Sequence, residues 1–364
     1  MRAKIKINFA AMEAQKKRNI RDLSREELME FFAEHKVKAF RAKQVEEWLW
    51  KKSARSFEAM TNLSLDTRSL LEANFELPAV SVADQQRSND GTVKNAFRLA
   101  DGKITEGVLI PASDRMTACI SSQVGCSLAC KFCATGKLKL ARNIRFDEIY
   151  DQVAILKEQA EEFYQKPLSN IVYMGMGEPL LNYSQMLKSV ERITSTDGLG
   201  MSPKRITVST AGIAKLIKRL GDDEVKFNLA LSLHAANDEK RSKIMPINDQ
   251  NNLEILAEAL KHFYNKTGTR ITFEYIIFKD FNDEIEDARE LAEFCKHVPC
   301  KINIIEYNPI DDGEFQQADP KKVDAFAAYL ESRNLIVNVR RSRGKDIDAA
   351  CGQLANKNKA VVSN

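Results

Sequence analysis

The segment Cys126-Ser-Leu-Ala-Cys130-Lys-Phe-Cys133 places three cysteines within eight residues. Three thiolates in the order C-x3-C-x2-C can bind three corners of a cubane iron–sulfur cluster, which leaves the fourth iron open to chelate a small molecule. A zinc site with Cys119 as the fourth ligand stays open, although that spacing fits zinc poorly. Three unrelated buried cysteines are a third interpretation, against which the close spacing argues. The segment therefore favours an iron–sulfur centre.

The sequence around this segment alternates between strand-like and helix-like patterns from about Ala118 to Pro309. The predicted strands are Met116–Ser121, Ile171–Met174, Ile206–Ser209, Phe227–Leu233, Thr272–Phe278 and Lys301–Tyr307. The predicted helices include Phe146–Phe163, Tyr183–Thr194, Leu253–Tyr264 and Ile285–His297. This alternation predicts an α/β fold, in which six units form a partial (β/α)6-type barrel rather than a closed eight-fold one. Chemistry in such barrels collects at the carboxyl ends of the strands.

The regions that flank this core differ from it. Residues 1–60 contain 15 Lys and Arg against 9 Asp and Glu, a net charge of +6, whereas the rest of the chain sums to −2. Ser24-Arg-Glu-Glu27 is a helix-capping box, and Val45, Trp48 and Leu49 form an apolar helix face. These helices either bind RNA or only present a solvated face. The predicted domains are a helical, basic RNA-binding accessory domain (1–78), a β-hairpin extension (79–114), the barrel (115–310) and a C-terminal helix, strand and cysteine-containing loop (311–364).

The composition excludes several classes of protein. The chain has 364 residues, 44% hydrophobic and 29% charged, which is typical of a soluble globular protein of about two domains. No apolar run approaches the ~18 residues of a membrane span, and Met1 to Arg18 lacks the apolar centre of a secretory signal. Seven cysteines, an odd number, argue against a secreted disulfide framework. We expect a cytoplasmic enzyme with no membrane partner.

A second motif, Met174-Gly-Met-Gly-Glu-Pro179, ends a predicted strand. It is not a dinucleotide fingerprint, because Leu180 stands where the third glycine belongs. Together with the three cysteines and Phe132 just before the last of them, the motif resembles the radical S-adenosylmethionine superfamily. The resemblance implies that the three cysteines hold a 4Fe–4S cluster. It also implies that Gly177 and Glu178 receive the methionine end of S-adenosylmethionine.

Further segments resemble the RlmN family, whose members methylate carbon 2 of adenine in RNA. They are Ala118-Cys-Ile-Ser-Ser-Gln-Val-Gly-Cys126, Ser232-Leu-His234, Tyr307-Asn-Pro309 and Arg343-Gly-Lys-Asp-Ile-Asp-Ala-Ala-Cys-Gly-Gln-Leu354. This resemblance covers nearly the whole chain and implies action on adenine 2503 of 23S ribosomal RNA and on adenine 37 of transfer RNAs. It further implies two molecules of S-adenosylmethionine per turnover, an electron donor such as flavodoxin or ferredoxin, and a monomer.

The family resemblance also assigns roles to cysteines outside the triplet. It implies that Cys351 becomes S-methylcysteine, that a 5′-deoxyadenosyl radical removes a hydrogen atom from this methyl group, and that the carbon radical bonds to carbon 2. Cys119 then resolves the crosslink and forms a disulfide with Cys351. Glu106, placed at the end of the second hairpin strand, matches the family's proton acceptor. Cys295 and Cys300 match nothing and are predicted to be small buried side chains.

Other residues match the family's cofactor and RNA contacts. The predicted S-adenosylmethionine contacts are Gly177, Glu178, Ser209, Ser232, Leu233, His234 and Asn308. Without the resemblance, His234 would be interpreted as a satisfied buried imidazole. The candidates for phosphate contacts are Lys131, Lys137, Lys139, Arg142, Arg145, Arg340, Arg341, Arg343 and Lys345. Residues 342–352 are predicted to form a mobile loop, since Cys351 must meet methyl donor, radical and base in turn.

Two other functions stay open on the sequence. A related methyltransferase type modifies carbon 8 of adenine, confers antibiotic resistance and shares the cluster and both active cysteines. The run Gly-Glu-Pro-Leu-Leu-Asn182 is more similar to the carbon-2 type. The second alternative is a non-catalytic RNA-binding module that carries a zinc ion.

Overall fold

The structure, a computed structural model, describes residues 17–357. The first part of the basic N-terminal stretch, residues 1–16, lies outside the described residues. The chain divides into two compact units, residues 1–78 and residues 79–364. In the described part of the chain, no helix is long and apolar enough to cross a membrane.

The N-terminal unit is built from short helices and one pair of very short parallel strands. Its elements are β1 (Arg18–Asn19), α1 (Arg25–Glu34), α2 (Phe40–Glu46, continued by a π-helical turn over Glu47–Lys51), α3 (Leu65–Asn74) and β2 (Phe75–Glu76). The predicted capping box is confirmed, because the Ser24 hydroxyl and the Glu27 carboxylate each accept a hydrogen bond from the other residue's backbone N–H. Phe32, Val45 and Leu71 are fully buried and form the core of this unit.

The second unit is organised around one ten-stranded sheet in the order β14-β13-β12-β11-β10-β9-β6-β5-β4-β3. Its strands are β3 (Ser81–Arg87), β4 (Val93–Arg98), β5 (Ile104–Pro111), β6 (Met116–Cys119), β9 (Asn170–Tyr173), β10 (Ile206–Thr210), β11 (Asn228–Ser232), β12 (Ile271–Ile277), β13 (Cys300–Glu306) and β14 (Val337–Arg340). The strands β7 (Gln123–Val124) and β8 (Arg142–Asn143) form a separate antiparallel pair. The helices are α4 (Phe146–Tyr164), α5 (Tyr183–Thr194), α6 (Ala214–Asp222), α7 (Asp238–Ile244), α8 (Leu253–Thr267), α9 (Ile285–Cys295) and α10 (Pro320–Ser332).

The strands β6 and β9 to β14 are parallel and form the partial barrel. This confirms the predicted α/β fold class. The structure adds a seventh parallel strand to the six that the alternation predicted, because β14 continues the register on β13, with Val337 opposite Ile302. Because the strands are parallel, their carboxyl ends meet at one edge, where the candidate site lies.

The segment before the barrel is a three-stranded antiparallel meander rather than the predicted two-stranded hairpin. Its strands are β3, β4 and β5, and β5 pairs with β6, so the extension continues the barrel sheet. Turns at Asn89-Asp-Gly91 and Asp101-Gly102 connect these strands. The strand β3 escaped prediction because its sequence, Ser81–Arg87, is largely polar and it lies at the edge of the sheet.

Candidate active site

Two cavities with a shared wall lie at the carboxyl ends of the parallel strands. The triad cavity is lined by the three cysteines of the triplet and by the ends of β9, β10 and β11. The arginine cavity is lined by Cys119 and by Arg340, Arg341 and Arg343. Cys351 lines both cavities. A group on Cys351 therefore has access to both spaces.

The cysteine triplet lies on a loop whose base is closed by the pairing of β7 with β8. All three thiols face the triad cavity, and burial raises the pKa of each. A metal must therefore displace protons from these thiols when it binds. Among residues 17–357, no three metal-binding side chains converge closely enough to hold one ion. A cubane cluster instead takes each thiolate on a separate iron, so the donor set fits such a cluster.

The motif Met174-Gly-Met-Gly-Glu-Pro179 follows β9 along the wall of the triad cavity. Gly177 has a φ of +93°, and a Cβ at this position would lie 2.4 Å from the Cβ of Gln123, so the turn requires glycine. The buried Glu178 carboxylate accepts hydrogen bonds from two backbone N–H groups, one of them that of Ala211 (2.8 Å). Burial raises the pKa of Glu178 to about 7, and these hydrogen bonds oppose the shift.

Three further predicted residues, Ser209, Ser232 and His234, also line the triad cavity. The hydroxyl oxygens of Ser209 and Ser232 are 3.3 Å apart. The His234 Nδ1 accepts a hydrogen bond from the backbone N–H of Ile276 (3.1 Å), so the neutral ring carries its proton on Nε2. Burial lowers the pKa of His234 to about 3, which keeps the ring neutral. His234 can therefore donate a hydrogen bond through Nε2.

The remaining two predicted contacts, Leu233 and Asn308, are not among the residues that line either cavity. Leu233 is fully buried. The Asn308 side-chain amide donates to the backbone carbonyl of Cys351 (3.3 Å). Its buried Oδ1 has no hydrogen-bond partner among the described residues. Because a buried acceptor without a donor costs free energy, this oxygen is a place where a ligand N–H or O–H would be favourable.

Cys119 is a buried residue that lines the arginine cavity. It ends β6 and packs against Val108, Ala349 and Leu354. Burial raises the pKa of Cys119 to about 12, a charge on Cys351 would raise it further, and the Arg340 guanidinium opposes both effects. The free Cys119 is therefore a thiol at neutral pH, and it needs a base before it can act as a nucleophile.

The loop that carries Cys351 is tied to the cysteine triplet loop. Gly344 and Gly352 have φ values of +66° and +86°, which glycine adopts without strain. The Gly352 carbonyl accepts a hydrogen bond from the backbone N–H of Ala134 (2.7 Å), next to Cys133. Cys351 is exposed to the cavities, yet many atoms surround it, and this desolvation raises the pKa of its thiol. The predicted mobility of residues 342–352 stays a prediction.

No sequence motif pointed to Glu274, which lines the triad cavity from the middle of β12. Its carboxylate accepts a hydrogen bond from Asn303 (2.8 Å) and lies 3.5 Å from the Arg340 guanidinium, which lines the neighbouring cavity. The pair therefore bridges the wall between the two cavities. A carboxylate in the largely apolar strand Ile271–Ile277 is a usable signal in the sequence, because a buried charge requires a partner.

The position predicted for Glu106 is wrong. Glu106 is the third residue of β5 rather than its end, since antiparallel pairing resumes directly after the hairpin turn. Its buried carboxylate accepts the backbone N–H groups of Ala355 (2.9 Å) and Asn356 (3.1 Å) and lies 3.9 Å from the Lys94 ammonium. Glu106 lines neither cavity and anchors the C-terminal segment in this structure.

The basic residues beside the site fall into two groups. Arg142 is held by Asp101 and Glu148, and other candidates are likewise engaged by neighbouring carboxylates or backbone oxygens. The members of this engaged group are Lys137, Arg142, Arg145, Arg340, Arg343 and Lys345. Lys131, Lys139 and Arg341 are exposed. These three side chains make no ion pair within residues 17–357 and are therefore available to an anionic partner.

Known proteins with similar sequences or structures match almost the full length of this chain. The family described as "Ribosomal RNA large subunit methyltransferase N-terminal domain" matches residues 18–77, and the "Radical SAM superfamily" matches residues 120–292. A relative from Cytophaga hutchinsonii, named "Probable dual-specificity RNA methyltransferase RlmN", is 62% identical and covers 94% of both chains. A relative of the same name from Flavobacterium psychrophilum is 58% identical over 94% of this chain and 98% of its own. The crystal structure of a radical SAM methyltransferase from Sphaerobacter thermophilus has a TM-score of 0.87 at 37% identity and covers 93% of this chain and 99% of its own.

Proposed function

Because this chain belongs to the RlmN family of radical S-adenosylmethionine RNA methyltransferases, we propose that it methylates carbon 2 of adenine in 23S ribosomal RNA and in transfer RNA. As a family member it uses S-adenosylmethionine and a 4Fe–4S cluster. One observation carries the finer proposal: Cys351 faces both the cavity of the cysteine triplet and the cavity of Cys119 and the arginines.

Cys126, Cys130 and Cys133 are the proposed ligands of three irons, because their thiols line one cavity. When bound, the cluster supplies the electron that cleaves S-adenosylmethionine to a 5′-deoxyadenosyl radical. The Glu178 carboxylate is the proposed partner of the ammonium group of the methionine. This is supported by the Ser209, Ser232 and His234 side chains, which line the same cavity and offer neutral hydrogen-bonding groups.

The Cys351 thiolate is the proposed nucleophile for the first methyl group. Its sulfur bonds to the methyl carbon of one S-adenosylmethionine as the bond from that carbon to the sulfonium sulfur breaks. This step leaves S-methylcysteine and S-adenosylhomocysteine. The same side chain then loses a hydrogen atom to the radical and bonds through its methylene carbon to carbon 2 of the adenine.

Cys119 is the proposed group that releases the product. The Cys119 thiolate attacks the Cys351 sulfur and the bond from sulfur to methylene carbon breaks. Meanwhile the adduct gives up the carbon-2 proton and one electron, for which the oxidised cluster would be the acceptor. The methylene carbon gains a proton in place of the one that Cys119 has lost. The protein is left with a Cys119–Cys351 disulfide that an external thiol must reduce. Glu106 can accept the carbon-2 proton only after the backbone of Ala355 and Asn356 releases its carboxylate.

RNA affinity is assigned mainly to phosphate contacts. Lys131, Lys139 and Arg341 support this proposal, because they are exposed and adjoin the reactive segments. The target base must leave its stack before it can reach Cys351, at a cost of a few kcal/mol. The electron donor, of the flavodoxin or ferredoxin type, and a monomeric state stay predictions.

A transfer assay with S-adenosylmethionine labelled in its methyl group tests the proposal. Purified ribosomal and transfer RNA are incubated with the anaerobically reconstituted enzyme, digested, and mapped by mass spectrometry. The expected product is 2-methyladenosine in both RNAs. A main product of 8-methyladenosine would assign the chain to the carbon-8 type instead. Protein isolated anaerobically with zinc, but without iron or sulfide, would favour the zinc-bound RNA module.

A further inference from the structure

Arg241, on α7, is completely buried. Its guanidinium donates hydrogen bonds to the backbone carbonyls of Ala211 (2.6 Å), Leu233 (3.1 Å) and Ser232 (3.3 Å), and to Oδ1 of Asn248 (2.7 Å). Ser232 ends β11, and Ala211 and Leu233 directly follow β10 and β11, two strands whose ends carry side chains into the triad cavity. One arginine therefore holds together two strand ends of the proposed cofactor site.

No ion pair within residues 17–357 neutralises the charge of Arg241. Every acceptor that the described residues offer to its guanidinium is a neutral oxygen. The negative charge of Asp238 raises the pKa of Arg241. The Asp238 carboxylate itself accepts hydrogen bonds from the Asn248 side chain and from the backbone N–H of Leu253. Burial lowers the pKa of Arg241 to about 10, so it still carries its charge at neutral pH. A buried charge without a counter-ion is costly, which suggests that an anionic partner belongs nearby.

The helix that carries Arg241 also contacts the cysteine loop. The carbonyl of Ile244, the last residue of α7, accepts a hydrogen bond from the backbone N–H of Lys131 (3.0 Å), which follows Cys130. Ile244 and Cys130 pack in one hydrophobic cluster. The short helix α7 therefore carries the guanidinium charge next to the cysteine loop.

We propose that Arg241 is a positioning residue whose buried positive charge offsets the negative charge of the cysteine-bound cluster and favours its reduction by one electron. The inference rests on the proposed function, because it requires a cluster on the three cysteines. Three thiolates give such a cluster a net negative charge, which one added electron increases. Net charge and surroundings set the reduction potential of these clusters, and groups outside the ligand set tune it.

Matched variants separate the charge of Arg241 from its hydrogen bonds. Arg241→Gln removes the charge, whereas Arg241→Lys keeps it. Lys243→Gln removes the same charge from an exposed position two residues along α7. Each protein is reconstituted with iron and sulfide, assayed for both, and titrated with dithionite under electron paramagnetic resonance. We expect Arg241→Gln to lower the equilibrium constant of reduction at least tenfold, about 59 mV for one electron. Arg241→Lys should change it less than threefold, and Lys243→Gln should leave it unchanged.

A wild-type potential in Arg241→Gln at full iron content would overturn the proposal. Equal shifts in Arg241→Gln and Arg241→Lys would assign the effect to lost hydrogen bonds and would overturn it as well. If Arg241→Gln fails to fold, Asn248→Asp decides, because it keeps the arginine and places a carboxylate beside it. Its potential should then fall, and an unchanged potential contradicts the proposal. A wild-type chain that takes up zinc but no iron would contradict the proposed function instead.

Discussion

The two cavities that share Cys351 differ in charge. The described residues that line the triad cavity include two carboxylates, Glu178 and Glu274, and no Lys or Arg. The arginine cavity is lined by Arg340, Arg341 and Arg343. The first environment suits a ligand with an ammonium and a sulfonium group, and the second suits a polyanion. Charge can thus keep two unlike ligands apart while one thiol remains accessible to both cavities.

Removal of the shared thiol should have the largest effect. Cys351→Ala should abolish RNA methylation and leave no methyl label on the protein, because the nucleophile that connects the cavities is lost. Scintillation counting of protein and RNA measures both. Cys295→Ala is the matched control, since Cys295 is a buried thiol that lines neither cavity. Methylation at the wild-type rate in Cys351→Ala would show that the thiol shared by the two cavities is not the nucleophile.

A methyl group added to the turn of the triad cavity should destabilise the protein. In Gly177→Ala the new Cβ meets the Cβ of Gln123 at 2.4 Å, at a φ of +93°. The free energy of unfolding in urea should fall by about 2–4 kcal/mol. Gly268→Ala also has a positive φ, but its Cβ meets no described atom within 4 Å. The free energy of unfolding of Gly268→Ala should fall by only about 1 kcal/mol. Equal losses in the two variants would show that the contact with Gln123 does not destabilise Gly177→Ala.

Binding of S-adenosylmethionine should depend on pH through Glu178. Burial raises the pKa of Glu178 to about 7, and an ammonium group prefers the ionised carboxylate. Affinity should therefore weaken as the pH falls below 7, by up to about tenfold per pH unit. Isothermal titration calorimetry should show weaker, pH-independent binding between pH 5.5 and 7 in Glu178→Gln, whereas Glu274→Gln should keep the dependence. Stronger binding at low pH would exclude this role for Glu178.

The smallest expected effect concerns the arginine cavity. Arg341→Ala should weaken RNA binding several-fold for all sequences and reduce the slope of log K against log salt by about 1, as expected for one lost phosphate contact. Fluorescence anisotropy at several salt concentrations measures the slope. Arg289→Ala removes an exposed cation on α9 that pairs with Glu286, and it should leave the slope unchanged. Identical slopes in wild type and Arg341→Ala would show that Arg341 does not contact an RNA phosphate.

The parts of the site that depend on local sequence could be predicted, and those that depend on distant partners could not. The cysteine triplet and the turn at Gly177 are short motifs, and both line the triad cavity. The environment of Glu106 comes from backbone N–H groups 249 and 250 positions away, which no local pattern encodes. Likewise, Arg340 meets Glu274 only because β14 and β12 lie on either side of β13.

The fold shows the same division. Apolar runs bounded by turns predict the buried strands. The sequence also predicts a strand at β14, the seventh parallel strand, but not its position in the sheet, because its partner β13 lies about 35 residues earlier in the chain. The polar strand β3 gave no apolar pattern, since backbone pairing with β4 alone defines it. Periodicity therefore identifies strands that bury side chains, and it fails for strands that only complete a sheet edge.

Trapping the reaction in Cys119→Ala tests the central claim most directly. If Cys351 carries the methyl carbon from one cavity to the other and Cys119 releases it, this variant should accumulate RNA linked covalently to the protein. Mass spectrometry of nuclease- and protease-digested complexes should then find a methylene bridge from the Cys351 sulfur to carbon 2 of adenine. Normal release of methylated RNA by Cys119→Ala, or a bridge to another residue, would contradict the account.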